Sequence, residues 1–363
     1  MAKRVSVDKT LFAVTLILVF AGLVMVFSAS AVVAQERFDS PYTFLLRQLA
    51  WATAGLIAML AAMNFDYRRY KHPAVVFSLL GVTTALLVAV LFLDRSHNTH
   101  RWIRLWALSF QPSELAKPAL ILFLAYWLEA RTRTINDLRG TLVPAVIPTL
   151  IFAGLIVIQP DLGTAMVVVA IAACLLFVAG MQLRYFAGAL AASLLPLYFL
   201  IFRVQWRYER ILAFINPYSD PQGRGFHIIQ SLIAVGTGGV AGVGLMEGKQ
   251  KLFYLPEPHT DFLFAVVAEE TGLIGSLIVL TLFTIFLYRG MRTAALSRDP
   301  FARFLAAGIT AMVVVQAYLN ISVVLGLMPT KGIPLPMVSY GGSSLFVTLA
   351  SIGVLLNISQ NAD

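Results

Sequence analysis

The chain has 363 residues, of which 59% are hydrophobic and 12% are charged. An ordinary soluble domain carries about 25% charged residues, so the composition excludes a single soluble globule. The net charge is +9, from 27 Lys and Arg against 18 Asp and Glu. In a membrane protein such an excess is first compared with the topology of the loops, before a nucleic-acid partner is inferred.

Apolar segments long enough to cross a hydrocarbon core of about 30 Å as helices recur along the whole chain. We predict ten membrane spans, at residues 10–34, 43–63, 74–93, 113–130, 142–159, 162–180, 186–202, 262–288, 303–327 and 343–358. The fifth and sixth are separated by Pro160, which lacks a backbone donor, and Asp161, which suits a helix N-cap. The predicted fold is therefore an all-α polytopic membrane protein, with residues 1–363 forming one membrane domain.

The first span resembles a signal peptide, because Lys3, Arg4 and Lys9 precede an apolar stretch that ends near small residues. That stretch runs from Thr10 to about Ala34, whereas a signal-peptide core has roughly 7–15 residues. We therefore expect an uncleaved first helix.

Positive charge in the short loops predicts the orientation. With a cytoplasmic N-terminus, the inner segments hold 14 Lys and Arg and the short outer segments hold seven. This excess places the N-terminus in the cytoplasm, and the even number of spans then places the C-terminus there as well. The one long connection, residues 203–260, then lies outside between spans 7 and 8. The positive charge is accordingly a topology signal, and no nucleic-acid partner is predicted.

Acidic residues follow the opposite distribution, since 12 of the 18 fall on the outer half. Several lie at or inside the predicted membrane boundary, where an ionisable group is costly and is a functional-site hypothesis by default. Asp161 is one of them, and we predict that it lines a polar cavity on the outer side of the membrane.

The fourth span begins beside a strip of alternating cations and indoles. Arg101 and Arg104 alternate with Trp102 and Trp106, a pattern that suits either anchoring at the membrane interface or binding of phosphate. Residues 110–117 follow, in which Glu114 and Lys117 are three apart on one helix face. They form either a mutual ion pair or a site that presents the lysine to a lipid pyrophosphate.

The eighth span begins after a proline-stiffened approach, residues 254–262. Asp261 stands at its mouth, either as an N-cap or as a functional acid, with His259 two residues before it. Glu269 and Glu270 lie about 12 Å deeper at 1.5 Å per residue. They are either structural or part of a polar cavity that reaches down from the outer face.

The last connection, residues 329–344, contains prolines and paired glycines that prevent a continuous helix. Irregular backbone near a membrane is tolerated where it is buried in protein or lines a cavity. Lys331, Ser343 and backbone amides there suit an anion, and a plain loop is the alternative.

The motifs that carry these residues resemble the SEDS family, the FtsW/RodA/SpoVE polytopic membrane proteins. The matching segments are 101–103, 110–117, 159–165, 216–221, 259–262 and 339–343. Residues 329–332 and 250–257 are more similar to the division-type FtsW branch than to the elongation-type RodA branch.

The resemblance implies a peptidoglycan glycosyltransferase of the bacterial cytoplasmic membrane that polymerises lipid II on the outer face. It also implies a class B penicillin-binding protein and other division or elongation proteins as partners. By motif match, Asp261 corresponds to the family's essential acid, which suits a general base for the acceptor hydroxyl.

Lys117 and Arg101 are the candidates for stabilising the departing pyrophosphate, with Glu114 orienting Lys117 and Arg104 a further candidate. Lys331 and Ser343 are assigned to substrate binding, and Asp161, His259, Glu269 and Glu270 to a supporting cavity. A divalent cation, Mg²⁺ or Mn²⁺, would suit the pyrophosphate, although no metal ligands stand out.

The sequence is also compatible with other functions. Broken helices and charges within spans also suit a lipid II flippase. A RodA-like elongation polymerase or a noncatalytic scaffold for division enzymes would share the same spans.

Overall fold

A computed structural model describes residues 7–94, 100–105, 108–252, 254–255 and 257–361. The all-α prediction is confirmed. The α-helices in these ranges are α1 Lys9–Phe38, α2 Thr43–Asn64, α3 Pro73–Leu93, α4 Pro112–Glu129, α5 Val143–Ile158, α6 Leu162–Val178, α7 Leu183–Phe202, α8 Gln205–Ile215, α9 Phe226–Gly238, α10 Leu263–Leu296, α11 Pro300–Val324 and α12 Gly342–Ser359.

Eight helical segments of the described chain are long and apolar enough to cross a membrane. They are α1, α2, α3, α7, α10, α11, α12 and the segment Leu138–Ile158 that contains α5. The helices α4 and α6 coincide with two more predicted spans, but α6 has 17 residues and α4 carries Glu114, Lys117 and Glu129. The exact count of ten therefore stays a prediction.

The core lies where α4, α11 and α12 meet, with α6 and the first half of α10 packed around them. Within their most apolar windows, α11 is 78% buried and α12 is 72% buried. Because Ala and Gly recur along α11, neighbouring helices can approach it closely. By contrast, α7 has no buried residue and packs mainly against α8.

The eighth predicted span is not one continuous helix, because α10 is broken at Gly272. Gly272 has φ +66° and ψ −160°, a conformation that glycine tolerates and other residues do not. Four main-chain hydrogen bonds of 2.9 to 3.2 Å join segment 239–244 to residues 269–274. The inserted segment therefore satisfies backbone groups that the break would otherwise leave unpaired.

The predicted long loop, residues 203–260, contains α8, a 3₁₀ turn at Pro217–Ser219, and α9. α9 packs along the first half of α10. A two-stranded antiparallel hairpin, β1 Ile103–Leu105 and β2 Leu108–Phe110, precedes α4. The predicted interfacial strip is thus partly a β-hairpin, and Trp106 lies outside the described residues.

Candidate active site

Asp261 lies two residues before α10 and is half-buried. Its main-chain oxygen accepts a hydrogen bond of 2.8 Å from Asn320 Nδ2, which also donates to the main-chain oxygen of Ile333 at 2.7 Å. A Cβ atom on Gly332 would lie 2.9 Å from Asp261 Oδ2. One amide of α11 therefore ties Asp261 to the irregular segment 325–341.

Two cavities meet at Asp261, and Asp261 and Gly332 line both. The first, which we call the hairpin cavity, has a volume of about 430 Å³ and includes Arg101, Arg104 and Ser343. The second, the α8 cavity, has a volume of about 350 Å³ and includes Arg210 and Lys331. A carboxylate with a cation-bearing cavity on each side is the central feature of the site.

Arg101 and Asp161 line the hairpin cavity close to the turn between α5 and α6. The Arg101 guanidinium donates to the main-chain oxygens of Gln159 at 3.0 Å and of Pro160. The predicted capping role of Asp161 is confirmed, since its Oδ1 accepts from Thr164 N at 3.0 Å. These bonds fix the two charged groups relative to the start of α6.

Arg104, Glu114 and Ser343 line the same cavity. Arg104 is exposed on β1, and the Ser343 hydroxyl accepts from the main-chain N–H of Gln111 at 3.4 Å. Because Ser343 belongs to the first turn of α12, the hydrogen bond links α12 to the start of α4.

Lys117 is 2% exposed and does not line either cavity. Its ammonium donates to Glu114 Oε2 at 2.8 Å and to Gln316 Oε1 at 2.7 Å. Of the two alternatives from sequence, this geometry favours the ion pair, and Glu114 is the member that reaches the cavity.

The α8 cavity contains a cation that the sequence reasoning missed. Arg210 on α8 stacks on Trp206, with Cζ 5.1 Å from the ring centroid, and Nη1 donates to the main-chain oxygen of Thr330 at 3.4 Å. The available signal was the alternation of aromatic and charged residues in segment 206–210, the same pattern as in residues 101–106. Neither Arg210 nor Lys331 has a carboxylate within 4.0 Å among the described residues.

Burial and neighbouring charges shift the pKa values of Asp261 and Lys331, which line these cavities. Burial raises the pKa of Asp261 to about 7, aided by the negative charges of Asp161 and Glu257 and opposed by Arg101 and Arg210. Burial and the neighbouring Arg210 lower the pKa of Lys331 to about 8. A carboxyl group with a pKa near neutral pH is well matched to proton transfer.

Glu269 and Glu270 do not line either of the two cavities, and of the two alternatives from sequence their contacts favour the structural one. Glu269 Oε1 accepts from the main-chain N–H of Lys249 at 2.8 Å. Glu270 pairs with Lys251 at 2.6 Å and accepts from the Ser28 hydroxyl at 2.6 Å. The two side chains hold residues 246–251, which follow the inserted segment, and this is the structural alternative.

His259 is 4% exposed and packs between aromatic residues beside the site. Its ring lies 4.6 Å from that of Phe44 and 5.6 Å from that of Tyr340, measured between centroids. Its main-chain oxygen accepts from Tyr340 N at 2.9 Å. The ring also borders a separate cavity of about 460 Å³ beside the end of α1.

Comparison with known proteins places the whole chain among relatives of similar length. A family described as "Cell cycle protein", FTSW_RODA_SPOVE, matches residues 8–363. A Geobacter metallireducens protein named "Probable peptidoglycan glycosyltransferase FtsW" is 45% identical over 340 residues, which cover 93% of this chain and 90% of the relative. Stage V sporulation protein E of Bacillus subtilis is 43% identical over 361 residues, 99% of this chain and 98% of the relative.

Solved structures are similar over nearly the same extent. A chain from a study of how a peptidoglycan synthase complex coordinates polymerization and crosslinking matches with a TM-score of 0.80 and 33% identity, covering 98% of both chains. The rod shape determining protein RodA of Thermus thermophilus matches with a TM-score of 0.72 and 29% identity, again covering 98% of both chains.

Proposed function

Because the chain belongs to the FtsW/RodA/SpoVE family, we propose that it is a peptidoglycan glycosyltransferase that polymerises lipid II into glycan strands for septal cell-wall synthesis. The relatives named FtsW support the division-type branch. The observation that carries the chemistry is the position of Asp261, a half-buried carboxyl group between two cavities that each present cations.

Asp261 is the general base of this reaction. The acceptor sugar hydroxyl transfers its proton to the carboxylate as its oxygen attacks C1 of the donor sugar. The bond from C1 to the pyrophosphate oxygen breaks, and the configuration at C1 inverts because a single displacement occurs. The pKa of about 7 leaves a substantial fraction of Asp261 ionised at neutral pH and ready to accept the proton.

The two cavities supply a cationic wall for each lipid-linked substrate. Donor and acceptor both carry a pyrophosphate, and the donor pyrophosphate gains negative charge as it leaves. In the hairpin cavity, Arg101 and Arg104 bind and neutralise a pyrophosphate, and Ser343 donates a hydrogen bond from its hydroxyl. In the α8 cavity, Arg210 and Lys331 bind and neutralise a pyrophosphate in the same way. Lys117 acts indirectly by holding Glu114 through their ion pair.

The residues present do not form a dedicated metal cage. No group of three or more His, Cys, Asp and Glu side chains in the described part of the chain is arranged to hold a metal ion. Both oxygens of Asp161, an acid that lines the hairpin cavity, already accept hydrogen bonds from Thr164. A divalent cation, Mg²⁺ or Mn²⁺, would therefore arrive with the pyrophosphate and would supply charge neutralisation there.

The membrane arrangement follows from the helices and the charge distribution. The protein is a multi-pass membrane protein, and we place ten spans in the bacterial cytoplasmic membrane with both termini in the cytoplasm. The Asp261 cavities then open on the outer face, where residues 203–260 lie. The similarity to a chain of a peptidoglycan synthase complex supports a class B penicillin-binding protein as the crosslinking partner, alongside other division proteins.

The test is polymerisation of lipid II by the purified chain, with and without the penicillin-binding partner. Asp261→Asn should reduce glycan synthesis by at least about a hundredfold, the lower range for a lost general base. Glu247→Gln is the matched control, because Glu247 is exposed in the same outer region and does not line either cavity. Near-normal polymer from Asp261→Asn would contradict the general-base role, and lipid movement without polymer would instead support a flippase.

A further inference from the structure

A separate cavity of about 320 Å³ lies at the end of the bundle opposite to Asp261. Its walls include Lys71, Phe77, Tyr126, Trp127, Glu129 and Arg131. The start of α4 reaches the hairpin cavity through Glu114, and α4 ends at Glu129 after 18 residues. Glu114 and Glu129 are 15 residues apart, about 22 Å along the helix at 1.5 Å per residue, so the second cavity faces the other membrane surface.

Arg131 presents a fixed guanidinium to this cavity. Its Cζ lies 3.4 Å from the centroid of the Trp127 ring, and its Nη1 donates to the main-chain oxygen of Trp127 at 3.4 Å. The indole is itself held, because Nε1 donates to the main-chain oxygen of Thr141 at 3.1 Å. Arg131 has no carboxylate within 4.0 Å among the described residues. A planar guanidinium stacked in this way keeps edge N–H donors for a phosphate.

Lys71 provides the second cation, and Glu129 is the one acid among the described residues that line the cavity. Lys71 Nζ lies 2.5 Å from Glu129 Oε1, and the side chains are 44% and 17% exposed. The Lys71 ammonium has three donors. Among the described residues, Glu129 is the one carboxylate within ion-pair distance of it. With Lys71, Arg131 and Glu129 charged, the side chains that line the cavity carry a net charge of +1.

Aromatic rings form the remaining wall. Phe77 and Tyr126 meet edge to face with centroids 6.0 Å apart, and Trp127 stacks on Phe123. Tyr and Trp are typical of the level at which lipid head groups meet acyl chains. Basic pockets between membrane helices are known to bind anionic head groups.

We propose that this cavity binds the head group of an anionic phospholipid with one phosphodiester and free hydroxyls, of the phosphatidylglycerol type. Arg131 and Lys71 hold the phosphodiester, and the net charge of +1 matches its single negative charge. The Glu129 carboxylate accepts a hydrogen bond from a head-group hydroxyl and repels a second negative charge. The rings of Phe77, Tyr126 and Trp127 contact the glycerol and the first acyl carbons.

Native mass spectrometry of the detergent-purified full chain tests this site independently of polymerisation. Phosphatidylglycerol should be retained in preference to phosphatidylcholine and phosphatidic acid with the same acyl chains. Arg131→Gln should weaken phosphatidylglycerol binding about fivefold, since one such cation contributes about 1 kcal/mol near a membrane surface. Arg298→Gln is the control, because Arg298 is exposed just beyond α10 at the same end of the bundle and outside the cavity.

Glu129→Gln should remove the preference over phosphatidic acid without weakening phosphatidylglycerol binding. Equal retention by Arg131→Gln and Arg298→Gln would overturn the proposal. So would stabilisation of the wild-type chain by inorganic phosphate to the same extent as by phosphatidylglycerol, because the ligand would then be a free anion. If Arg131→Gln does not fold, fluorescence quenching by brominated phosphatidylglycerol provides the test. This lipid should quench the tryptophan fluorescence of the wild-type chain more than that of the Trp127→Phe variant. Equal quenching of the two would refute the site.

Discussion

Gly332 approaches Asp261 so closely that a Cβ atom at this position would lie 2.9 Å from the carboxylate oxygen Oδ2. The two residues are 71 positions apart, and Asn320 ties their segments by donating to the main-chain oxygens of both Asp261 and Ile333. Because both residues also line both cavities, the position of the carboxylate depends on the segment that carries Gly332.

The first prediction is that Gly332→Ala impairs catalysis more than folding. The new methyl group must displace the Asp261 carboxylate, and a shift of about 1 Å in a reacting group can cost about a hundredfold in rate. We expect kcat for lipid II polymerisation to fall by about ten- to a hundredfold with little change in Tm. Gly236→Ala is the control, since a Cβ there meets no atom within 4 Å. Equal activity of the two variants would contradict the prediction.

The second prediction concerns the acidic side of the pH profile. Asp261 must be ionised to accept a proton, and its pKa is about 7. Below pH 7, kcat/KM should therefore fall about tenfold for each pH unit, because the ionised fraction falls by that factor. Initial polymerisation rates between pH 5.5 and 8 measure this limb. A flat profile down to pH 5.5 would mean that the base has an ordinary carboxyl pKa and is not Asp261.

The third prediction concerns the alkaline side. In the proposed reaction Lys331 binds pyrophosphate only in its protonated form, so activity should decline above its pKa of about 8. The Arg210 cation contributes to the lowering of this pKa and also opposes the rise in the pKa of Asp261. Removing it in Arg210→Met should therefore raise both pKa values and move both limbs to higher pH.

The comparison variant for this shift is Arg104→Met, which removes a cation from the hairpin cavity. Arg104 does not contribute to either shifted pKa, so its removal should lower activity while both limbs keep their positions. If both variants shift the profile equally, the limbs do not arise from Asp261 and Lys331.

Local sequence patterns were sufficient to predict the helices and several site residues. Apolar runs predicted the long helices, since spans need about 20 apolar residues. Asp161 was predicted as a cap because it follows Pro160 at a helix start, and it caps α6. Asp261 was singled out by its position after a proline-rich approach, and in the structure it lies where two cavities meet.

Features that depend on distant contacts were not predictable in this way. Glu269 and Glu270 were assigned to a cavity from their depth below Asp261, whereas their partners in residues 246–251 come from the long loop and are set by its fold. The break at Gly272 likewise depends on hydrogen bonds from segment 239–244. Arg210 was overlooked because the long loop was treated as one connection. Its place opposite Lys331 requires α8 to fold back over the site. Lys117 could be paired with Glu114 from spacing alone, but its second partner, Gln316, is 199 residues away.

The fourth prediction is that the buried pair Lys251 and Glu270 anchors the segment leading to Asp261. The two side chains are 5% and 0% exposed and 2.6 Å apart, and Ser28 of α1 donates to the same carboxylate. Removing one partner leaves a buried uncompensated charge, which costs about 3–5 kcal/mol. We expect Lys251→Met and Glu270→Gln each to lower the free energy of unfolding by this amount, and the double variant to lose less than their sum.

A double-mutant cycle measured by unfolding in mixed micelles gives the coupling between Lys251 and Glu270. The exposed pair Arg224 and Asp220, at 3.7 Å and 48% and 46% exposure, provides the comparison and should couple by less than about 1 kcal/mol. Polymerisation should also fall in the two single variants, because Asp261 lies only ten residues beyond Lys251 on a segment that has lost its anchor. Strictly additive losses for Lys251 and Glu270, with full activity in each single variant, would show that the pair does not position the catalytic segment.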